Sequence, residues 1–529
     1  MDYRKFIEDG RAVMGCEFGS TRIKAVLVDD NHDVIAQGDH VWENRYEGGY
    51  WTYSLEDIWD GLQDCIKNLR ADVLNRYGIE LETMKAMGFS AMMHGYMAFD
   101  EDGKLLVPFR TWRNQTTGEA AAELSELFHF NIPQRWTIAH LRQAILSKEP
   151  HVPEIDFVDT LAGYVHYMMT GQKVVGLGEG SGIIPLDSET MDYDQKMVDI
   201  FDDLSEKAGF HKKVRDVLPK VLNCGDIGGY LTEEGAKLLD PSGHIKPGIP
   251  VCPPEGDAGT GMAATNSVLK RTGNVSAGTS VFSMIVLEKP LSDYYEEIDM
   301  VTTPDGSPVA MVHCSNCTSD LNAWVKIFRE NLELMGVEVD MNELYGKLYN
   351  EALKGSPDCS GVMAYNYVSG EVITGLDEGR PMIVRTPDAD FSLANFMRAN
   401  IYSAFATLKI GNDILMKKEK VEVDTLFGHG GVFKTKGVAQ QFLADALNAP
   451  VAVMTTAGEG GPWGMALIAS YMVNRDDQES FPHFLSEKVF HGDRGETLYP
   501  NPTGVEGFDR FLENYQAGLA AERAAVENL

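Results

Sequence analysis

The sequence predicts an α/β protein made of two related halves, and three observations support this prediction. Strand-like and helical apolar patterns alternate along the 529 residues. A chain of that length is too long for one hydrophobic core, and about two to four domains are expected. A weak internal repeat near residue 270 makes residues 275–281 resemble the opening of the chain.

The first half opens with a predicted β-meander. Two apolar runs flank the turn Gly19-Ser20-Thr21, and a third apolar run at 34–36 follows a polar segment. Backbone N–H groups and hydroxyls of such a turn are suited to wrapping a phosphate, with Glu17 near a metal ion. A plain hairpin accounts for the same residues, so the turn alone does not decide between the two.

A helix and a ligand-type loop follow. Ser54 is placed to cap a helix through Asp57, and apolar residues recur at helical spacing over 58–73. The strand-like segment 86–90 then runs into Met93-His94-Gly95, at the kind of strand end where α/β proteins place ligand contacts. His94 is either a hydrogen-bonding group for a substrate or a core histidine bonded to a backbone carbonyl.

The loop Trp112-Arg113-Asn114-Gln115 combines a flat apolar face with several hydrogen-bonding groups, which suits a polyol. A surface loop anchored by its tryptophan is the alternative. Residues 155–164 predict a strand that gives way to a helix, and the glycines of 176–182 predict a very flexible loop.

Asp257 is the candidate catalytic residue. It stands among Gly256, Gly259 and Gly261, where an acid can accept a proton from a hydroxyl while nearby backbone N–H groups hold an anion. This is the local chemistry of phosphoryl transfer. A surface turn is the alternative, because glycine and aspartate are common in turns of every kind.

The second half repeats the opening pattern. Gly278-Thr279-Ser280 stands where Gly19-Ser20-Thr21 stood, so each half has a phosphate-sized hairpin. Helical patterns span 321–332 and 391–416. Residues 426–433 predict a strand that ends at Gly430-Gly431, and a helix follows over 438–447. Glycine lets a base lie against the main chain, so this turn is a plausible shelf for adenosine.

Composition excludes several functions. The formal charge of −33 would repel nucleic-acid backbones and anionic membranes. No apolar run approaches the ~20 residues that span a bilayer, and the start does not resemble a signal peptide. Seven cysteines, an odd number, suit reduced and buried thiols in a cytoplasm, and Cys314-x-x-Cys317 has no second pair to complete a zinc site.

In this order and spacing, the motifs resemble the FGGY carbohydrate kinases over nearly the whole chain, and within them the xylulokinase branch. The matching features are the turns at 19–21 and 277–280, Met93-His94-Gly95, Gly256-Asp257, Gly430-Gly431, residues 441–445 and residues 460–466. The resemblance implies two ribonuclease-H-like domains of the actin and hexokinase ATPase type around a central cleft. Residues 1–267 would bind mainly sugar and carry the base, and 268–529 would bind mainly ATP.

The resemblance also implies roles for single residues. Asp257 matches the catalytic base, and Met93 and His94 match the ketose-binding pair, with Trp112 and Asn114 nearby. The nucleotide residues would be Gly19, Ser20, Thr21, Lys24, Gly278, Thr279, Ser280, Gly430, Gly431 and Phe433. Glu17 stands where the family usually has aspartate and would contact Mg²⁺.

The activity implied is ATP- and Mg²⁺-dependent phosphorylation of a ketopentose, D-xylulose above all. Ribulose, fuculose, rhamnulose, gluconate or glycerol is the alternative acceptor. A sensor of the same fold that binds sugar and nucleotide, with weakened catalysis, is the alternative from another class, because Glu17 would displace the metal contact. A homodimer is compatible with a chain of this size.

Overall fold

The computed structural model describes residues 2–454, 460–491 and 495–529. Two seven-stranded mixed sheets organise these residues. The first sheet contains, in spatial order, Gly229–Tyr230, Pro250–Val251, Ala86–Ala91, Val13–Phe18, Arg22–Val28 and Val34–Val41, with Glu255–Gly256 also paired to Ala86–Ala91. The second contains Asp299–Thr302, Pro308–Cys314, Val281–Val286, Thr272–Ala277, Thr425–His429, Val451–Val453 and Glu496–Leu498.

Each sheet contains the same four-stranded unit, which confirms the internal repeat. An antiparallel meander of three strands is joined by a later strand that runs parallel to the first. In the first half the unit consists of Val13–Phe18, Arg22–Val28, Val34–Val41 and Ala86–Ala91. In the second half it consists of Thr272–Ala277, Val281–Val286, Pro308–Cys314 and Thr425–His429.

α-Helices and short two-stranded ribbons make up most of the remaining regular structure in the described residues. The α-helices are Tyr3–Glu8, Leu55–Tyr77, Gly118–Phe128, Thr137–Leu146, Leu161–Thr170, Leu177–Gly180, Gln195–Lys207, Val214–Val217, Glu233–Leu239, Asp257–Ala264, Ser319–Leu334, Met341–Ala352, Leu393–Asp413, Val438–Leu447, Gly461–Asn474, Phe481–Phe484 and Pro502–Asn528. The two-stranded ribbons are Arg45–Glu47 with Tyr50–Thr52, Met97–Phe99 with Phe157–Asp159, Val174–Gly176 with Lys220–Leu222, Leu186–Asp187 with Asp192–Tyr193, and Val362–Tyr365 with Met382–Arg385.

The helix Leu55–Tyr77 shows why the local sequence signals were sufficient in much of the chain. The Ser54 hydroxyl accepts the N–H of Asp57, and the Asp57 carboxylate accepts the N–H of Ser54, so both ends of a capping box are present. Its apolar face is buried from Ile58 to Val73, as predicted. Gly78, in the left-handed conformation with φ 69°, ends the helix.

The helix Gly461–Asn474 belongs to the second half of the sequence but lies against the first sheet. Gly15 and Gly88 face it so closely that a methyl group on Gly15 would overlap the main chain at Pro462 and Ala466, and one on Gly88 would overlap the side chain of Met465. The same helix crosses Asp257–Ala264, with Gly464 against the Thr260 carbonyl. The helix that begins at the candidate base is therefore held by a segment about 200 residues later in the chain.

The prediction of a flexible loop at 176–182 is wrong. Residues Gly176–Gly182 are buried and include the helical turn Leu177–Gly180. The glycines are there because neighbouring groups leave no room for a side chain: the Glu255 carboxylate lies against Gly176 and Gly178, and the His94 ring lies against Gly182. Close packing, and not flexibility, explains these glycines.

The edge strand Asp299–Thr302 of the second sheet is tied to the first half. The Thr302 N–H donates to the Ser181 hydroxyl at 3.0 Å, and the Thr302 hydroxyl donates to the Leu177 carbonyl at 3.0 Å. At the other end, the Asn131 amide donates to Asp299 Oδ1 at 3.0 Å. The two halves thus meet beside the buried segment 177–182.

All seven cysteines are buried and unpaired in the described structure, as predicted for the thiols. Across the described part of the chain, no helix combines the length and apolar character needed to cross a membrane.

Candidate active site

Asp257 lies where the strand Glu255–Gly256 passes into the helix Asp257–Ala264. Its Oδ1 accepts a hydrogen bond from the backbone N–H of Met93 at 3.0 Å. The side chain is solvent accessible although protein atoms crowd around the carboxylate. That crowding raises the pKa of Asp257, and hydrogen bonds from backbone N–H groups of Met93 and Ala258 oppose the rise. The Asp257 carboxylate is thus open to solvent on one side and surrounded by protein atoms on the others.

Glu17 occupies the end of the strand Val13–Phe18, opposite Lys24 on one neighbouring strand and Ser90 on the other. Burial and the negative charge of Asp257 raise the pKa of Glu17 to about 8, while Lys24 and the Thr260 hydroxyl lower it. The Glu17 carboxylate also fills the space beside Gly461, where no larger residue fits. The structure therefore brings Glu17, Lys24 and Asp257 into one electrostatic site.

His94 is held in an unusual conformation. Its φ is 73°, in the left-handed region that non-glycine residues rarely adopt. The ring stacks on Trp136 with a centroid separation of 5.7 Å, and Nδ1 lies 3.4 Å from the Gly182 carbonyl oxygen. Burial and the charge of Arg135 hold the pKa of His94 well below its ordinary value. Since a carbonyl only accepts, Nδ1 carries the proton and Nε2 is an acceptor.

The predicted loop at 112–115 contacts Gly19-Ser20-Thr21, which we call the first phosphate-type turn. Trp112 is 38% exposed, and its indole N–H lies 3.3 Å from the Ser20 hydroxyl. Asn114 has a different position from the one predicted: it is buried, and its amide bonds the Trp51 N–H, the Trp51 carbonyl and the Thr111 carbonyl at 2.8–2.9 Å. These bonds use both amide hydrogens of Asn114 to hold the loop, which leaves its side chain no donor for a sugar hydroxyl.

Gly278-Thr279-Ser280, the second phosphate-type turn, lies beside Gly430-Gly431, the predicted adenosine turn. Gly430, with φ 108°, packs against the backbone of Ala277 so closely that only glycine fits. Gly278, Thr279 and Ser280 are at least partly accessible, as are Gly430 and Gly431. Phe433, predicted to contact nucleotide, is instead buried with its ring beneath Gly428 and stacked on Phe405. Phe433 supports the turn from the core side.

Sequence reasoning missed several residues that shape this site. Arg135 pairs with Asp299 of the other half, and its carbonyl accepts the Gly95 N–H at 3.1 Å. Glu255 accepts the N–H groups of Glu179 and Gly178 at 2.9 and 3.3 Å. Glu255 adjoins the Gly256-Asp257 motif, and that position is the only sequence signal it gave. Arg135 stands in no recognisable motif.

Comparison with known proteins places both halves in one family. Residues 12–263 match the N-terminal domain, and residues 273–473 the C-terminal domain, of the FGGY family of carbohydrate kinases. A xylulose kinase of Haemophilus influenzae is 23% identical over 546 aligned positions, which cover 96% of this chain and 99% of that protein.

Solved structures support the same fold. A ligand-bound xylulose kinase from Lactobacillus acidophilus superposes with a TM-score of 0.78 at 17% identity, covering 97% of this chain and 99% of that one. A Plasmodium falciparum glycerol kinase with ADP gives 0.73 at 15% identity, covering 97% and 98%. The predicted fold class, two α/β domains of the actin and hexokinase type, is confirmed.

Proposed function

The chain belongs to the FGGY family of carbohydrate kinases, and from that premise we propose that it transfers the terminal phosphoryl group of ATP to a hydroxyl of D-xylulose. Asp257 is the general base. The observation that carries this proposal is the position of Asp257, an accessible carboxylate in a crowded site that is bonded directly to the Met93 N–H of the predicted sugar loop.

The role of Asp257 follows from its surroundings. Its raised pKa makes the carboxylate a stronger proton acceptor, and the Met93 N–H fixes Oδ1, which leaves Oδ2 to meet a hydroxyl. Removal of that proton as the phosphoryl group arrives creates the alkoxide nucleophile. In such sites most of the rate enhancement comes from positioning and charge stabilisation.

The sugar would be oriented by the loop that carries Met93 and His94. The neutral His94 presents Nε2 as a hydrogen-bond acceptor, which suits a sugar hydroxyl and not a carbonyl or phosphate. The exposed face of Trp112 offers an apolar surface for the C–H face of a sugar. The nucleotide phosphates would lie between the turns at 19–21 and 278–280, with adenosine at Gly430 and Gly431.

The residues present also fit Mg²⁺. Glu17 is a hard oxygen donor, and burial together with the negative charge of Asp257 raises its pKa, so a divalent cation held by Glu17 would relieve that repulsion. When bound, the ion would neutralise charge on the phosphate oxygens. One protein carboxylate suffices because Mg²⁺ usually keeps several of its waters and is otherwise bound through substrate phosphates.

Two other functions remain supported by specific observations. The likeness to a glycerol kinase favours a polyol or another ketose as acceptor. Glu17, in place of the aspartate usual in the family, favours a sensor that binds sugar and nucleotide with weakened catalysis, because its extra methylene would displace the metal contact.

A substrate panel distinguishes these functions. ADP release would be measured with Mg²⁺ and ATP in the presence of xylulose, ribulose, fuculose, rhamnulose, gluconate or glycerol. We expect the highest kcat/KM with xylulose. A higher value with another acceptor would reassign the substrate. If none of the compounds increased ADP release above the rate without sugar, kinase activity on this panel would be contradicted.

A further inference from the structure

The first phosphate-type turn is held by aromatic side chains from outside it. The Trp42 indole N–H donates to the Gly19 carbonyl at 2.7 Å, and the Tyr53 hydroxyl donates to the Ser20 carbonyl at 2.6 Å. The two rings stack on each other, with centroids 4.0 Å apart and an interplanar angle of 23°. Trp42 is 6% exposed and Tyr53 is 1% exposed, so this pair is part of the core.

These two bonds determine where the N–H groups of the turn point. In a trans peptide the carbonyl and the following N–H project in opposite directions. With the Gly19 carbonyl directed at Trp42, the Ser20 N–H points away from the aromatic pair. With the Ser20 carbonyl directed at Tyr53, the Thr21 N–H points away as well. Neither N–H has a hydrogen-bond acceptor among the described residues.

The second phosphate-type turn repeats this arrangement with different donors. The Thr318 N–H and hydroxyl donate to the Gly278 carbonyl at 3.1 and 2.8 Å, and the Cys317 N–H donates to the Thr279 carbonyl at 3.0 Å. The N–H groups of Thr279 and Ser280 accordingly point the other way, and within the described structure they too lack an acceptor. In each of the two turns, therefore, two successive carbonyls accept hydrogen bonds from the protein, and two successive N–H groups have no acceptor among the described residues.

We propose that Trp42 and Tyr53 are positioning residues that aim the N–H groups of Ser20 and Thr21 at the phosphates of ATP. Two adjacent free N–H groups form a concave donor site that suits an anion. The aromatic pair preorganises that site, so the turn does not have to reorient when the nucleotide binds. This inference rests on the proposed kinase function, because it takes ATP as the ligand of the turn.

The variant Tyr53→Phe tests the proposal with little other change. It removes one hydroxyl and retains the ring that stacks on Trp42. We expect affinity for a non-hydrolysable ATP analogue, measured by calorimetry, to fall about three- to tenfold, as for the loss of one hydrogen bond. Affinity for adenosine and the KM for sugar should stay within twofold of wild type, because neither ligand contacts the turn.

Tyr193→Phe is the matched control. Tyr193 is another buried tyrosine of the first half, and its hydroxyl donates to the Pro219 carbonyl at 3.0 Å, away from the turn. The Tyr193→Phe variant should bind the ATP analogue with the affinity of wild type. Thermal melting checks that both variants fold. If Tyr53→Phe does not fold, Trp42→Phe, which removes the indole donor to Gly19, supplies the same measurement.

The outcomes separate this proposal from the kinase proposal. Unchanged affinity for the ATP analogue in a folded Tyr53→Phe protein overturns the positioning role. Equal losses for the analogue and for adenosine also overturn it, since they would indicate a general structural effect. Wild-type protein that binds the analogue but phosphorylates no sugar contradicts the kinase function alone, and wild-type protein that does not bind it overturns the positioning role.

Discussion

The backbone N–H of Met93 and Oδ1 of Asp257 are joined by a hydrogen bond of 3.0 Å across 164 residues of sequence. The predicted sugar loop and the predicted base therefore occupy one site. Because the bond runs through the main chain of Met93, the side chains of the loop can change without loss of this link. Substitutions among the side chains of this loop can therefore change substrate preference while Asp257 keeps its position.

His94→Asn is expected to weaken sugar binding selectively. Asparagine tolerates the left-handed backbone that His94 adopts, so the loop is preserved while the imidazole acceptor is lost. We expect the KM for the sugar to rise about tenfold, as for one lost hydrogen bond to a ligand, with the KM for ATP unchanged. Steady-state kinetics with each substrate varied in turn makes the comparison, and an unchanged sugar KM would exclude this contact.

Glu17→Asp is expected to change the dependence on Mg²⁺. Aspartate is one methylene shorter, so the carboxylate withdraws from Gly461 and from the position beside Asp257. The concentration of Mg²⁺ that gives half-maximal turnover should therefore shift. Titration of both proteins with Mg²⁺ at fixed ATP measures it, and coincident curves would mean that Glu17 does not control the ion.

Gly430→Ala is expected to destabilise the second half. A methyl group would collide with the Ala277 carbonyl, and a φ of 108° is strained for alanine. We expect the free energy of unfolding to fall by about 1–3 kcal/mol. The control is Gly431→Ala, where a methyl group meets no atom within 4 Å and the change should stay within about 0.5 kcal/mol. Denaturant unfolding tests this, and equal effects would contradict the steric argument.

Glu371 is expected to make stability depend on pH. Burial raises the pKa of Glu371 from 4.5 to about 7, and its carboxylate accepts the Asn316 N–H next to the segment that holds the second turn. Between pH 4.5 and 7 the unfolded chain loses this proton while the folded chain keeps it. Stability from this group is thus full below pH 4.5 and is lost as pH rises to about 7.

Glu371→Gln removes that contribution, because glutamine does not titrate and can still accept the Asn316 N–H. Thermal melts from pH 4.5 to 8 should show a smaller fall in stability for the variant than for wild type. Glu343→Gln, at an exposed helix position, is the control and should follow wild type. Parallel curves for Glu371→Gln and wild type would contradict this origin of the pH dependence.

Local sequence patterns predicted most of the secondary structure because the signals were local. The capping pair Ser54 and Asp57 marked one helix start, and the two Gly-Ser-Thr type turns marked corresponding hairpins in the two halves. The family resemblance then supplied the topology, which no single motif contains.

The errors arose where distant parts of the chain meet. Glycines at 176–182 suggested flexibility, but they reflect contacts with Glu255 and His94 that sequence spacing cannot reveal. Phe433 lies under its turn, and not on it, because it fills a space beside Phe405. The sequence did not predict the roles of Trp42 and Tyr53. Each side chain donates to a backbone carbonyl, and such a bond requires no particular residue type at the accepting position.

The most direct test of the account is turnover by Asp257→Asn. Asparagine can accept the Met93 N–H but cannot take a proton from a hydroxyl, so sugar-dependent ADP release should fall about 10²- to 10⁴-fold while ATP affinity stays near that of wild type. Release would be measured with the best acceptor of the panel, beside calorimetric ATP binding. Turnover close to wild type in this variant would show that Asp257 is not the base.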